Sequence, residues 1–192
     1  MLTLLIQTIE SGAEQDSQKL ESLLLAVAAG DREALAALYD RTRAAVYALA
    51  LSILKNAQEA QDTCQDSFVR LWEAAPQYRP QGSPMAWILS ITRNLARMKL
   101  RSSSRQLTLE DAEWDAIPAL GPELDPEDRF LLQTALASLS SLEKQVILLH
   151  AVAGLKHREI AALLELPMAT ALSKYHRALK KLRYFMEGDD AQ

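Results

Sequence analysis

An all-α protein is predicted, with two small helical domains joined by an acidic, flexible linker. Apolar residues recur at intervals of three and four through most of the 192-residue chain, a spacing typical of amphipathic helices. No stretch shows the sustained apolar–polar alternation of a half-buried strand. Between the two helical parts, residues 105–127 carry one basic and seven acidic side chains. The prolines, glycine and serines in and beside this segment are typical of a linker.

The domain boundaries follow from these features. Residues 1–16 form an N-terminal extension, 17–104 a first helical domain, 105–125 the linker and 126–187 a second helical domain. The extension begins with an apolar run that has no basic residues before it and is too short to span a bilayer. We therefore expect no membrane insertion and a cytoplasmic location.

In the first domain, each of four helices begins at a residue whose side chain can accept hydrogen bonds from the helix N-terminus. These residues are Asp16 or Ser17, Asp31, Asn56 and Ser83. Gly30 ends the first helix. Pro84 takes the first position of the fourth helix, which runs to about Arg101.

In the second domain, helical structure restarts at Pro126, and Ser140 with Glu143 predicts a capping box for the next helix. Two further helices, residues 157–164 and 168–186, are separated by a three-residue turn. A short helix, a tight turn and a basic amphipathic helix are typical of a helix-turn-helix. An ordinary helical hairpin with a charged outer face is the alternative interpretation.

The net charge of −4 at pH 7 would by itself argue against a nucleic-acid partner. The acidic excess belongs to the linker, however, because residues 1–104 are neutral and residues 128–192 carry a net charge of +2. Two clusters of basic side chains contain no acid. They are Arg93, Arg97, Lys99, Arg101 and Arg105, and Lys174, Arg177, Lys180, Lys181 and Arg183. One such cluster is typical of a solvated helix face, but two of them beside an acidic tether favour a polyanionic partner.

Several classes of chemistry have no support in the sequence. It contains no glycine-rich phosphate loop, no nucleophile elbow and no paired carboxylates framing a pocket. The single cysteine, Cys64, excludes an internal disulfide and is interpreted as a small buried hydrophobe. The three histidines are spread along the chain, which does not favour a metal site. We expect no catalytic residue, metal or cofactor, and hence no enzyme.

Four short runs in the second domain carry a family resemblance. They read LSSLEKQVILL at 139–149, GL at 154–155, EIA at 159–161 and PMATALSKYHRA at 167–178. Together they are similar to region 4 of extracytoplasmic-function (ECF) sigma factors, a domain that reads the −35 promoter element. The resemblance implies that the recognition helix meets base edges and phosphates in the major groove. The DNA-binding residues it implies are Thr170, Leu172, Ser173, Lys174, His176, Arg177, Lys180 and Lys181.

Three residues of this domain depart from the family pattern. Lys156 stands where the family usually has a capping serine or threonine, and Glu165 replaces the usual turn glycine. Leu172 replaces a basic residue that the family often points at DNA. This last change indicates altered specificity for the −35 element.

The first domain resembles region 2 of the same family. The similar runs are GDREALAALY at 30–39, DTCQDSFVRLW at 62–72 and WILSITRNLA at 87–96. The second run implies docking on the clamp helices of RNA polymerase, and its residues outside the apolar stripe are Asp62, Gln65, Asp66 and Arg70. The third run implies capture of the melted −10 strand, for which we expect Tyr78, Arg93, Asn94, Arg97 and Arg101.

Helical spacing gives a physical reason for the −10 assignment. Residues 93, 97 and 101 step by four along one helix and form a single basic stripe. Asn94 beside the stripe offers a donor and an acceptor, and Tyr78 offers a stacking face for an extruded base. Trp87 is interpreted as a core residue.

The sequence therefore indicates an ECF-type sigma factor that binds core RNA polymerase, recognises −35 and −10 elements and assists promoter melting. The resemblance also implies an anti-sigma partner and a linker that threads a basic polymerase channel, although a merely solubilising tether is equally open. Two alternatives remain. One is a self-standing helix-turn-helix repressor or activator that dimerises through its N-terminal helices, and the other is a regulator that binds polymerase but no DNA.

Overall fold

The computed structural model describes residues 2–103 and 134–187, with side chains for residues 15–102 and 134–184. These residues form helices and turns without any strand, which confirms the all-α prediction. The helices with both ends inside these residues are α1 (Leu2–Ala28), α2 (Arg32–Leu54), α3 (Ala57–Ala74), α4 (Pro84–Ser103), α5 (Ser141–Ala151), α6 (His157–Leu164) and α7 (Met168–Glu187). Residues 134–137 are also helical. A 3-10 turn, Ala75–Gln77, follows α3. The predicted linker, residues 105–125, lies outside the described residues.

Local capping chemistry sets where most helices begin. The Asp31 carboxylate accepts a hydrogen bond from the N–H of Glu33, at 2.8 Å, and the Asn56 side chain accepts one from Glu59, at 2.9 Å. The Ser83 hydroxyl accepts one from the N–H three residues later. These contacts confirm three of the predicted N-caps and satisfy donors that would otherwise have no partner in the helix.

Helix α1 differs from the prediction at its N-terminus. It begins at Leu2, so Asp16 and Ser17 lie inside the helix and neither one caps it. The reason is visible in the sequence, because Leu2, Leu5, Ile6 and Ile9 already follow the helical spacing. The predicted boundary after residue 16 therefore falls within a continuous helix.

Helix α2 is the centre of the first domain. It packs against α1, α3 and α4, and residues 46–52 are buried without interruption. The C-terminal half of α2 is apolar on all sides, so other helices must pack against every side of it. The largest fully buried side chains of this domain are Leu24, Leu38, Leu49, Leu51, Leu71, Ile88 and Leu89.

Part of that cover comes from the second domain. The buried side chains of Val146, Leu149 and Ile160 belong to the same apolar cluster as those of α2. The carbonyl oxygen of Ser52, in α2, accepts hydrogen bonds from the Ser141 hydroxyl at 3.3 Å and from a side-chain amide of α5 at 3.5 Å. The two helical domains thus pack against each other along α2 and α5, a contact that the sequence pattern did not predict.

No helix within residues 2–103 or 134–187 combines the length and the apolar character needed to cross a bilayer.

Candidate nucleic-acid and polymerase interfaces

Helices α6 and α7 form the predicted helix-turn-helix. Ala161 on α6 and Ala171 and Ala178 on α7 are buried at the helix contacts, and their small side chains allow the helices to approach closely. Lys156 supplies no side-chain cap to α6, but the Glu159 carboxylate accepts a hydrogen bond from the Lys156 N–H at 2.9 Å. Half of a capping box therefore replaces the missing serine or threonine.

The outer face of α7 carries most of the residues expected to meet DNA. His176, Arg177 and Lys180 are exposed, whereas Thr170, Leu172, Ser173 and Lys174 are half-buried. The Arg177 guanidinium donates a hydrogen bond to the Ser173 hydroxyl at 3.4 Å. This contact keeps the guanidinium on the outer face of α7. The structure therefore groups these side chains on one surface of the helix, and their contact with DNA remains a prediction.

Lys181 has a partner within the second domain, and its contact with a DNA phosphate stays a prediction. Its ammonium nitrogen lies 2.8 Å from a carboxylate oxygen of Glu143, whose side chain is only 4% exposed. Burial acts to raise the pKa of Glu143, but hydrogen bonds from Lys181 and Ser140 outweigh burial and hold the pKa at about 2. A buried carboxylate requires such a partner, so Lys181 turns towards α5 instead of outwards.

The predicted −10 stripe on α4 is partly covered. Asn94 and Arg101 are exposed, but the side chain of Arg93 is only 10% exposed. The carboxylate of Glu165 lies 3.0 Å from the Arg93 guanidinium through one oxygen and 3.2 Å from that of Arg97 through the other. These hydrogen bonds, from Arg93 first and Arg97 second, lower the pKa of Glu165 to about 2. Two arginines of the stripe are thus already paired with a carboxylate of the second domain, and their contact with DNA stays a prediction.

Tyr78 lies in the core of the first domain. Its ring is 5% exposed and packs edge-on against Trp87, with centroids 5.0 Å apart. The hydroxyl donates to the Glu21 carboxylate at 3.5 Å, and burial is the main cause that raises the pKa of Tyr78. In this conformation the Tyr78 ring is covered by its neighbours, and its role as a stacking face for an extruded base stays a prediction. Trp87 packs against the core as a partly buried residue.

The outer face of α3 carries the residues expected to dock on polymerase. Gln65, Asp66 and Arg70 are exposed, and Asp62 is half-exposed. Arg70 pairs with a glutamate one turn later, at 2.8 Å. Asp62 lies 3.8 Å from the Lys99 ammonium group of α4.

Sequence reasoning missed an apolar groove beside this face. It has a volume of about 450 Å³ and is lined by Arg32, Leu35, Phe68, Val69, Trp72 and Glu73. Val69 is 62% exposed although it is apolar. The signal was present in the sequence, because Val69 lies on the polar side of α3 between Asp66 and Arg70.

A second missed feature is a cluster of aromatic rings in the second domain. His150 stacks on His157, with centroids 4.7 Å apart, and Tyr175 lies within 5 Å of both rings. Burial, followed by the charges of His150 and His176, lowers the pKa of His157. The cluster brings together rings from three helices, but the described ranges contain no group of three or more His, Cys, Asp or Glu side chains that could hold a metal ion.

Cys64 has the environment that the sequence predicted. It is buried and unpaired, and its thiol lies 3.9 Å from the carbonyl oxygen of Arg43. Burial raises its pKa to about 11 against the opposing charge of Arg43. A thiol with so high a pKa is a poor nucleophile at neutral pH.

Comparison with protein families gives matches in both domains. Residues 38–106 match Sigma-70 region 2, and residues 129–182 match Sigma-70, region 4. The ECF RNA polymerase sigma factor SigK of Mycobacterium sp. (strain KMS) is 31% identical over 173 residues, which cover 85% of this chain and 89% of that protein. The SigK protein of Mycolicibacterium vanbaalenii is 32% identical, with 86% and 88% covered.

Two solved structures share the fold. CnrH in complex with the cytosolic domain of CnrY has a TM-score of 0.60 and 24% identity, covering 90% of this chain and 99% of that one. The sigma factor RpoE in complex with the anti-sigma factor NepR from Bartonella quintana has a TM-score of 0.62 and 24% identity, with 79% and 95% covered.

Proposed function

The chain belongs to the ECF family of RNA polymerase sigma factors, and we propose that its two domains divide the work of promoter recognition between the surfaces described above. Its role is promoter-specific transcription initiation by RNA polymerase. One observation supports this assignment of two DNA-binding surfaces. The same chain has an exposed basic face on α7 and a basic stripe on α4.

The α7 face is suited to duplex DNA. Arg177 and Lys180 are exposed cations that can contact phosphates, and the N-terminal turns of the helix bring Thr170 and Ser173 close to base edges. Leu172 lies on the same part of the helix, where an apolar side chain can contact a thymine methyl group but cannot pair with a guanine. We therefore propose that recognition of the −35 element depends on such an apolar contact.

The α4 stripe is suited to a single strand. Arg97 and Arg101 can track the backbone, and Asn94 can hold an extruded base through its amide donor and acceptor. Because Tyr78 is buried, stacking on that ring would first require a local rearrangement. The amide and the guanidinium groups therefore have the larger part in strand capture.

The α3 face is suited to a protein partner. Asp66 and Gln65 are exposed polar groups beside the apolar surface of Val69 and Trp72. An apolar centre with a charged rim is the usual composition of a protein interface. We place the core polymerase on this face, with the catalysis belonging to the polymerase and not to this chain.

Two further assignments belong to this proposal. The chain acts in the cytoplasm, where the polymerase works. It also has an anti-sigma partner, by analogy with the RpoE structure, which contains the anti-sigma factor NepR.

The test is run-off transcription with purified core polymerase across a library of promoter sequences. Adding the chain should give initiation at a defined subset of promoters. Tight binding to duplex promoters without polymerase would instead support a self-standing helix-turn-helix regulator. Polymerase binding without any promoter selection would support the regulator that does not touch DNA.

A further inference from the structure

Glu165 connects the second domain to the basic stripe of the first. Its two carboxylate oxygens are each used by a different guanidinium, Arg93 at 3.0 Å and Arg97 at 3.2 Å. These are charge-assisted hydrogen bonds across the contact between α4 and α6. They are two of the three arginines that the sequence analysis assigned to the −10 strand.

The backbone of Glu165 is unusual for a residue with a side chain. It ends α6 in the left-handed conformation, with φ 57° and ψ 45°, where glycine is the favoured residue. The sequence resemblance also implies glycine at this turn. The contact with the two arginines explains why a glutamate stands here in spite of the backbone strain. From this position its carboxylate reaches both arginines of α4.

A carboxylate and a phosphate are alternative partners for a guanidinium group, since both present paired oxygens to its planar fork. A DNA strand can therefore not use Arg93 and Arg97 while Glu165 holds them. Arg93 is also largely buried, with only 10% of its side chain exposed. By contrast, Asn94 and Arg101 are exposed in the same arrangement.

We propose that Glu165 takes the place of a DNA phosphate on the α4 stripe and so blocks strand capture until α6 and α7 move away from α4. This inference rests on the proposed function, because it assigns a regulatory contact to the strand-binding site. The apolar contact between α2 and α5, with Val146 and Leu149 buried, keeps the domains together. Glu165 closes the polar edge of that interface, where the stripe would meet DNA.

The experiment measures binding of a fluorescein-labelled single-stranded oligodeoxynucleotide to the full chain without polymerase, by fluorescence anisotropy. Glu165→Gln removes the charge and keeps the size, and Glu165→Gly removes the side chain where the backbone favours glycine. Both should bind the strand about 3- to 10-fold more tightly than the unchanged protein, the range expected when an ion pair of moderate strength is removed from competition. The gain should shrink as the salt concentration rises.

The matched control is Glu33→Gln, which makes the same change in net charge at an exposed position on α2. It should change strand affinity less than 2-fold. Equal affinities for the unchanged protein and both Glu165 variants, including no binding by any of them, would overturn the proposal. An equal gain in Glu33→Gln would do so as well, since net charge alone would then explain the effect.

Run-off transcription with the same proteins separates this proposal from the assigned function. Holoenzyme made with Glu165→Gln should initiate at the same promoters as holoenzyme made with the unchanged chain. If transcription is promoter-specific but the Glu165 variants bind the strand no better, only the blocking contact is refuted. If the unchanged chain supports no initiation, the sigma function itself fails, whatever the strand affinities are.

Discussion

Replacing Lys181 tests the packing of the second domain in the most quantitative way. In Lys181→Met the buried Glu143 carboxylate loses the ammonium group that lies 2.8 Å away. The pKa of Glu143 falls from 4.5 to about 2 on folding, which corresponds to about 3 kcal/mol of stability for the ionised form. The Ser140 N–H and hydroxyl supply part of that stabilisation. We therefore expect the substitution to cost about 1–2 kcal/mol at neutral pH.

The assay is urea denaturation of the full chain followed by far-ultraviolet circular dichroism, at several pH values. A carboxyl whose pKa is lowered on folding contributes stability above its unfolded pKa and loses it as the pH falls towards the folded value. The cost of Lys181→Met should therefore be largest above pH 4.5 and narrow towards pH 2. Lys180→Met is the matched control, because Lys180 is the exposed neighbour on α7. An equal loss in both variants, or a loss that does not depend on pH, would refute this reasoning.

Three more predictions concern the interfaces and the ring cluster. Asn94→Ala should impair open-complex formation, followed by permanganate footprinting, while polymerase affinity stays nearly constant; an equal loss of both would contradict its assignment to the strand. Charge reversal at Asp62 and Asp66 should weaken holoenzyme assembly about 10-fold or more in a binding titration, and unchanged assembly would exclude α3 as the docking face. Burial lowers the pKa of His157 on folding, so the free energy of unfolding should fall as the pH drops through about 6.5, the ordinary value for histidine. The melting temperature of His157→Gln should depend less on pH in that range than the melting temperature of the unchanged protein. Identical pH profiles of the two proteins would contradict this prediction.

Features that depend on neighbouring residues could be predicted from the sequence. The caps at Asp31, Asn56 and Ser83 and the box at Ser140 use partners two or three residues away. The helix-turn-helix of α6 and α7 follows the same logic, since a local pattern fixes each helix. Local hydrogen bonds and apolar spacing can both be inferred from the order of residues in the sequence.

Three of the predicted site residues have distant partners in the structure. Tyr78 is held by an acid 57 positions away, Lys181 by one 38 positions away and Arg93 by one 72 positions away. Each of these side chains already contacts a carboxylate that is distant in the sequence. Only the tertiary structure brings these pairs together, so periodicity could place the basic residues on a face without revealing whether that face was open.

The most direct test of the sigma function is promoter selection by polymerase reconstituted with altered chains. Core polymerase should initiate at defined promoters when it carries the unchanged chain, and also when it carries Lys19→Ala, a change at an exposed lysine on α1. Holoenzyme with Lys174 and Arg177 both replaced by alanine should lose at least about 10-fold in run-off product at those promoters, because two basic contacts to DNA are removed. Unchanged promoter choice in the double variant would contradict the role of α7 in reading DNA. No promoter-specific initiation with the unchanged chain would contradict the sigma function as a whole.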